Sequence, residues 1–247
     1  MKNIRLLILL FIAVAFLSCS ELHEEHYKKA QKLFGHRDPE AALDELNKAI
    51  DINPDYAEAY FLRGICKQLV PHTNQGIIAR RDKTLDAISD FDNAAYISLI
   101  KNDTALTVAA LFSKGALQLN FDTERAKESF QTVIKLNYLN KDTFKYLSES
   151  YMDINRDATQ FLSHCYIDLG DTLAALNVYE RLLSRKPTDA KSYYLSAVNK
   201  IMLAKNKAGA CEDLHTALSK YDSTDIYNMP NFKGEIENLI RINCGKK

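Results

Sequence analysis

The sequence has no tryptophan, and among its 247 residues only 8 are glycine and 5 are proline. Val, Ile and Thr are scattered rather than alternating with polar residues, so the composition is that of an all-helical chain. So little glycine leaves a phosphate-cradling loop almost nothing to be built from, and there is no Gly-x-Ser-x-Gly elbow or CxxC pair. Neither sign of charge is in excess, with 32 Lys and Arg against 32 Asp and Glu. Without a global basic field, nucleic acid is excluded as a partner. A long apolar run is also missing: Leu6 to Leu17 makes 12 residues, where a bilayer-spanning helix needs roughly 20. What is present is a hydrophobic content of 47%, ordinary for a packed core and too high for a disordered chain.

The first residues read "MKNIRLLILLFIAVAFLSC". Lys2 and Arg5 form a positive head, a short apolar stretch follows, and the pattern is that of a secretory signal peptide. Its end, Ser18 before Cys19, resembles a bacterial lipoprotein signal, with Phe16 and Leu17 standing where Leu and a small residue are usual. The resemblance implies that residues 1–18 are removed, that Cys19 is the lipidation site, and that residues 19–22 are a tether. Two or three acyl chains would then hold the protein to a bilayer, at about 0.8 kcal/mol per buried methylene. The alternative is an ordinary cleaved signal with an incidental cysteine. Beyond Cys19 there remain 30 basic and 32 acidic residues, a net charge of −2, so neither a polyanion nor a polycation is implied as partner. The acidic "SELHEE" resembles surface-export signals of Bacteroidetes lipoproteins, and the expected location is the bacterial outer membrane, lipid-anchored, on its periplasmic or cell-surface face.

A triplet recurs along the chain: alanine, a large apolar residue four positions on, and a small or apolar residue three further. Ala42, Leu46, Ala49 fit it, as do Ala87, Phe91, Ala94; Ala126, Phe130, Val133; Ala175, Tyr179, Leu182; and Ala210, Leu214, Ala217. Spacings of four and three place each triplet on one helical face, the stripe a helix buries against a neighbour. Before the later triplets lie stretches with a small residue in mid-face, among them "AYFLRGICKQL" with Gly64, "LFSKGALQL" with Gly115, "FLSHCYIDLG" with Ser163 and "SYYLSAVNKIML" with Ala197.

This alternation resembles tetratricopeptide (TPR) repeats, antiparallel helix pairs of about 34 residues. The matching fragments are "PDYAEAYFLRGICKQL" and "GDTLAALNVYERLLSRKPTDAKSYYLSA". The resemblance implies a right-handed α-solenoid of about five helix pairs over residues 23–221, closed by a C-terminal capping segment at 222–247. Successive triplets begin 45, 39, 49 and 35 residues apart. The first excess is read as an insertion at 71–83, and the third as one extra helix near 141–155.

Apart from Cys19 there are four cysteines, Cys66, Cys165, Cys211 and Cys244, which in an exported chain allow three connectivities. Cys66 and Cys165 fall on first helices of the second and fourth pairs, roughly 20 Å or more apart, where a disulfide needs about 4.4 to 6.8 Å. They read as buried small apolar residues. The "AC-x-D" around Cys211 and the "LI-x-x-x-C" ending at Cys244 resemble the close of TPR lipoproteins of the Bacteroidetes. That resemblance implies a Cys211–Cys244 disulfide pinning a capping helix over the last repeat, contributing roughly 3 to 4 kcal/mol in the chain-entropy model. The alternative is two free thiols in helices.

Candidate chemistry is sparse. "HEEH" at His23 to His26 sets two histidines three apart, but not in the His-Glu-x-x-His order of a zinc protease and without an evident third ligand. His164, Cys165 and Asp168 cluster on one helix, yet adjacent residues point about 100° apart and make no nucleophile and base pair. The chain is expected to hold no metal and no cofactor and not to be an enzyme. The TPR resemblance implies protein partners bound along the face of the first helices. Carried over, that face comprises Tyr27, Gln31 and Phe34; Phe61 and Gln68; Phe112; Gln160 and His164; and Lys191, Tyr194 and Met202. Aromatic and Gln side chains suit an apolar or extended segment of a partner. The expected function is a non-enzymatic interaction scaffold, a lipid-anchored subunit or adaptor of a bacterial envelope complex in secretion, outer-membrane biogenesis or uptake. The alternative is an envelope adaptor or sensor that binds a glycan or peptidoglycan fragment.

Overall fold

The structure, a computed structural model, describes residues 21–70, 77–136, 153–185, 189–222 and 231–245. Cys19 with its leader, residues 71–76 of the expected insertion and residues 141–152 of the expected extra helix lie outside them. Among the described residues there are helices and turns but no strand. The helices are α1 over 21–35, α2 Pro39–Ile52, α3 Ala57–Leu69, α4 Ile77–Ile100, α5 Thr104–Gln118, α6 Thr123–Leu136, α7 Ile154–Asp168, α8 Thr172–Arg185, α9 Ala190–Met202, α10 Lys207–Ser219 and α11 Phe232–Asn243. Residues 1–117 and 118–247 form two compact units.

Three boundaries differ from the sequence reading. Glu21 and Leu22, assigned to the tether, are already helical in α1. Residues 77–83, assigned to the insertion, are the opening turns of α4. Ile154 and Asn155, assigned to the extra helix, begin α7, because Asp153 caps it by accepting from the Arg156 N–H at 3.0 Å.

That cap belongs to a series. The helix-starting N–H three residues on is accepted by Asp38 (3.0 Å), Asp103 (3.0 Å), Asp122 (3.1 Å), Asp171 (2.9 Å), Asp189 (2.7 Å) and Asn206 (2.9 Å). Each satisfies one amide that the first turn leaves without a carbonyl. Before several of these caps one residue turns left-handed to end the preceding helix: Arg37, Asn102, Gly170 and Ala204, with φ of 62, 59, 80 and 50°. The chain thus reverses by one recurring device, a left-handed stop followed by an acidic or amide start.

The triplets form the buried stripes. All their members are buried except Leu182, which is half-buried. In the first unit α2 packs on α3 and α3 on α4. Gly64 lets α4 come close: a Cβ there would lie 2.8 Å from Cε1 of Phe91. In the second unit each helix from α6 to α11 packs on the next, the nearest-neighbour pattern of repeat proteins. Ala175 serves two neighbours, its carbonyl accepting from Ser163 Oγ of α7 at 3.2 Å and from Asn199 Nδ2 of α9 at 2.8 Å.

A polar lock is built into the same stripes. Three residues after the first alanine of the triplet stand Glu45, Asp90, Ser129 and Asp213, all buried. Each is met from the preceding helix by the residue just before its mid-face small residue, by the one three after it, or by both. Lys29 reaches Glu45 at 2.8 Å. Arg63 donates to both oxygens of Asp90 at 3.0 and 2.6 Å, and Lys67 stands 2.7 Å from the same carboxylate. Ser129 donates to Gln118 at 3.0 Å. Ser196 and Lys200 each donate to Asp213 at 2.7 Å. In the fourth pair the place is apolar on both sides, with Val178 and Leu162 buried. Arg63 also donates to Asn47 of α2 at 2.9 Å and lies over the Tyr60 ring at 5.2 Å, so one guanidinium ties α3 to both neighbours.

Two outcomes follow in denaturant unfolding. Gly64→Leu destabilises by at least about 1 to 3 kcal/mol, since a side chain must enter the close crossing, whereas Gly35→Ala, which meets nothing within 4 Å, changes little. Asp90→Ala, leaving Arg63 and Lys67 without their carboxylate, costs about 3 to 5 kcal/mol.

Candidate functional site

Within each unit the first helices of the pairs carry the residues expected to meet a partner. In the first unit, Gln31 of α1 and Gln68 of α3 are exposed, the latter folding its amide back to the Gly64 carbonyl at 3.4 Å. Leu69 beside it is 55% exposed, the bare apolar side chain at this end of α3. Tyr27 and Phe34 are half-buried and lean on the core formed by α1, α2 and α3. The Tyr27 ring meets Tyr56 edge-on at 5.0 Å. Burial, then the Glu58 carboxylate, pushes its phenol up to about 12, against a hydrogen bond with Gln31 that lowers it.

Phe61 and Phe112 are corrections. They are 3% and 1% exposed and belong to the core. The absent side chain at Gly64 draws Phe91 inward, and Phe61 packs on that ring at 5.6 Å. Phe112 continues the run 105–110, which is buried on every side of α5.

In the second unit Gln160 and His164 lie one turn apart on α7, half-buried and exposed respectively. On α9, Lys191 is half-buried and Met202 is 66% exposed. Tyr194 is taken up by α11: its hydroxyl donates to Glu235 at 3.3 Å and its ring meets Phe232 edge-on at 5.1 Å. Burial first, then Glu235, raises its pKa. Sequence reasoning also missed the first turn of α7, where Arg156 is 6% exposed although charged. Its guanidinium stands 3.6 Å from Asp157 and 3.5 Å from Asp189, and burial raises the Asp157 pKa against the pull of Arg156 and Lys191. The one signal in the sequence is a polar stretch, "INRDAT", placed where a helix must be enclosed.

The histidines of "HEEH" are each engaged by neighbours: His26 with Glu45 at 2.7 Å, His23 with Asn53 at 3.1 Å and edge-on to Tyr56 at 4.8 Å. Among the described residues no three His, Cys, Asp or Glu side chains could hold a metal ion. His164 is exposed while Cys165 is buried. Burial, then the Asp168 carboxylate, pushes the Cys165 thiol up to about 11, and burial pushes that of Cys66 to about 12, which leaves both without nucleophilic thiolate. Cys211 and Cys244 are joined in a disulfide, with Cα atoms 5.6 Å apart.

With this geometry described, the chain can be set against known proteins. Residues 38–67, spanning α2 and α3, match a TPR repeat, and residues 158–189, spanning α7 and α8, match a tetratricopeptide repeat. Comparison with curated proteins finds no relative by sequence. Among solved structures the chain is similar to MamA, residues 41 to the end, from Desulfovibrio magneticus RS-1, at 15% identity and a TM-score of 0.56 over 83% of this chain and 97% of that one. It is similar to YrrB, described as a TPR protein with an unusual peptide-binding site, at 17% identity and a TM-score of 0.52 over 87% and 91%. PilF of Pseudomonas aeruginosa matches at 11% identity and a TM-score of 0.52 over 93% and 95%. The fold is the all-α TPR fold, which is in general a non-enzymatic scaffold for binding proteins.

The Glu45 cluster gives a pH prediction. Hydrogen bonds from Lys29, then His26 and Lys48, hold its carboxyl down at about 2 against an ordinary 4.5. A depressed carboxyl contributes stability that is complete above 4.5 and is lost as pH falls towards 2. In urea unfolding as a function of pH, Glu45→Gln should therefore lie below the wild type at pH 6 and converge with it as the pH is lowered through that window.

Proposed function

We propose that this chain is a non-enzymatic scaffold that binds extended or helical segments of partner proteins on its first-helix faces, as a lipid-anchored subunit or adaptor of a bacterial envelope complex. The observation that carries the binding reading is the pairing of polar and exposed apolar side chains on those faces: exposed Gln31, Gln68 and Leu69 in one unit, and half-buried Gln160 with exposed His164 and Met202 in the other. Amides can hydrogen-bond a partner's backbone while the apolar groups bury its side chains, and none of these groups has a reaction to run. Anchoring rests on the leader and Cys19. It suits a chain in which no helix among the described residues is long and apolar enough to cross a membrane.

Tagged full-length protein purified from detergent-solubilised envelope is expected to bring down membrane proteins in stoichiometric amount. The triple change Gln31→Ala, Gln68→Ala, Leu69→Ala should weaken that association about tenfold or more, from loss of about 1.4 kcal/mol or more, without lowering the melting temperature. Cys19→Ala should move the protein to the soluble fraction. No co-purifying protein, with retention on cell-wall polymer instead, would sink the binding proposal, and membrane retention of Cys19→Ala would sink the anchor.

A further inference from the structure

The disulfide between Cys211 and Cys244 does more than lie inside a cap. One face of α10, made by Ala208, Cys211, Glu212, His215, Thr216 and Ser219, lines an open cleft of about 720 Å³, which Ile240 of α11 and Cys244, the residue that caps it, close from the other side. This face is turned away from the core stripe of Ala210, Leu214 and Ala217, and both half-buried cysteines line the cleft, Cys244 leaning on the core at the same time. His215 is four residues after Cys211, hence one turn along on the same face, and lines the same cleft.

We propose that this cleft is a thiol-exchange site, at which a dithiol reduces the Cys211–Cys244 bridge and uncouples α11 from the last helix pair. The incoming thiolate attacks the sulfur of Cys244, the S–S bond breaks, and its electron pair leaves with Cys211 as a thiolate, which takes up a proton by way of the His215 side chain. The second thiol of the same reductant then attacks the mixed disulfide. It releases Cys244 as a thiol and leaves the reductant oxidised, so two electrons pass from dithiol to bridge. What then holds α11 is packing without a covalent tie: Phe232 and Ile236 are its buried side chains, Leu239 and Ile240 lean on the same core, the Tyr194 ring meets Phe232, and Asn231 starts the helix with no side-chain cap. Release of α11 takes Phe232 from the Tyr194 ring and both Phe232 and Ile236 from the cluster they share with Ala197, Leu214 and Ala217.

The chain carries its own control. Cys66 and Cys165 are buried free thiols and become alkylated only when the fold opens. Full-length protein is incubated with a concentration series of dithiothreitol, quenched with an alkylating agent and mapped by mass spectrometry. The expected result is labelling of Cys211 and Cys244 at a rate proportional to dithiol, with Cys66 and Cys165 protected, and a loss of about tenfold or more in that rate for His215→Asn. Hydrogen exchange of α11 should rise about tenfold or more on reduction, with α7 and α8 unchanged. A rate that levels off with dithiol, labelling of all four cysteines together, an unchanged rate in His215→Asn, or undiminished protection of α11 after reduction would each overturn the proposal.

Discussion

A carboxylate taken out of water between two helices demands a cation, and it demands it at one height and one rotation. Asp90 is such a group, 2% exposed and held by Arg63 and Lys67. The same demand recurs at Glu45 and Asp213, and in a neutral version at Ser129, always three residues after the triplet alanine. An apolar stripe alone tolerates a slip of one helix along another, because one methyl contact replaces the next. A buried ion pair does not, since a slip of one turn leaves both charges unmet. The lock therefore adds register more than net free energy. The fourth pair supports that division of labour: Val178 and Leu162 replace the polar partners together, so neither half of the lock is left unpaired.

The sequence revealed the framework because a framework residue repeats. The triplets could be read as buried faces, and all but Leu182 are fully so. The small residues could be read as crossings, and Gly64 against Phe91 is the tightest example. What escaped notice was which side of a first helix meets protein and which meets solvent. Helices in the array are sandwiched, α7 between α6 and α8 and α8 between α7 and α9, so a residue on either face of a first helix can be core. Phe61 and Phe112 were misplaced for this reason, and Tyr194 is half-engaged by a cap whose position has no periodic signal. The acidic partners were visible, as Asp or Glu inside an otherwise apolar stripe, but a single chain does not display that a charge is buried until its neighbour is placed.

Function in such a protein is a matter of what the framework leaves uncovered. The described first helices bury Phe61 and Phe112 and leave Gln31, Gln68, Leu69, His164 and Met202 exposed. The TPR fold is in general a scaffold for binding proteins, and such groups suit contact with a partner's main chain. Cys66 and Cys165, both buried, hold no nucleophilic thiolate.

Burial of those two thiols has a further consequence, during biogenesis. Four cysteines can pair in three ways, and an oxidant by itself does not choose among them. Once the helices have packed, Cys66 and Cys165 are removed from the competition and only the surface pair can meet an oxidant. If packing precedes oxidation, the correct isomer is chosen by the order of events, with no isomerase needed to proofread it.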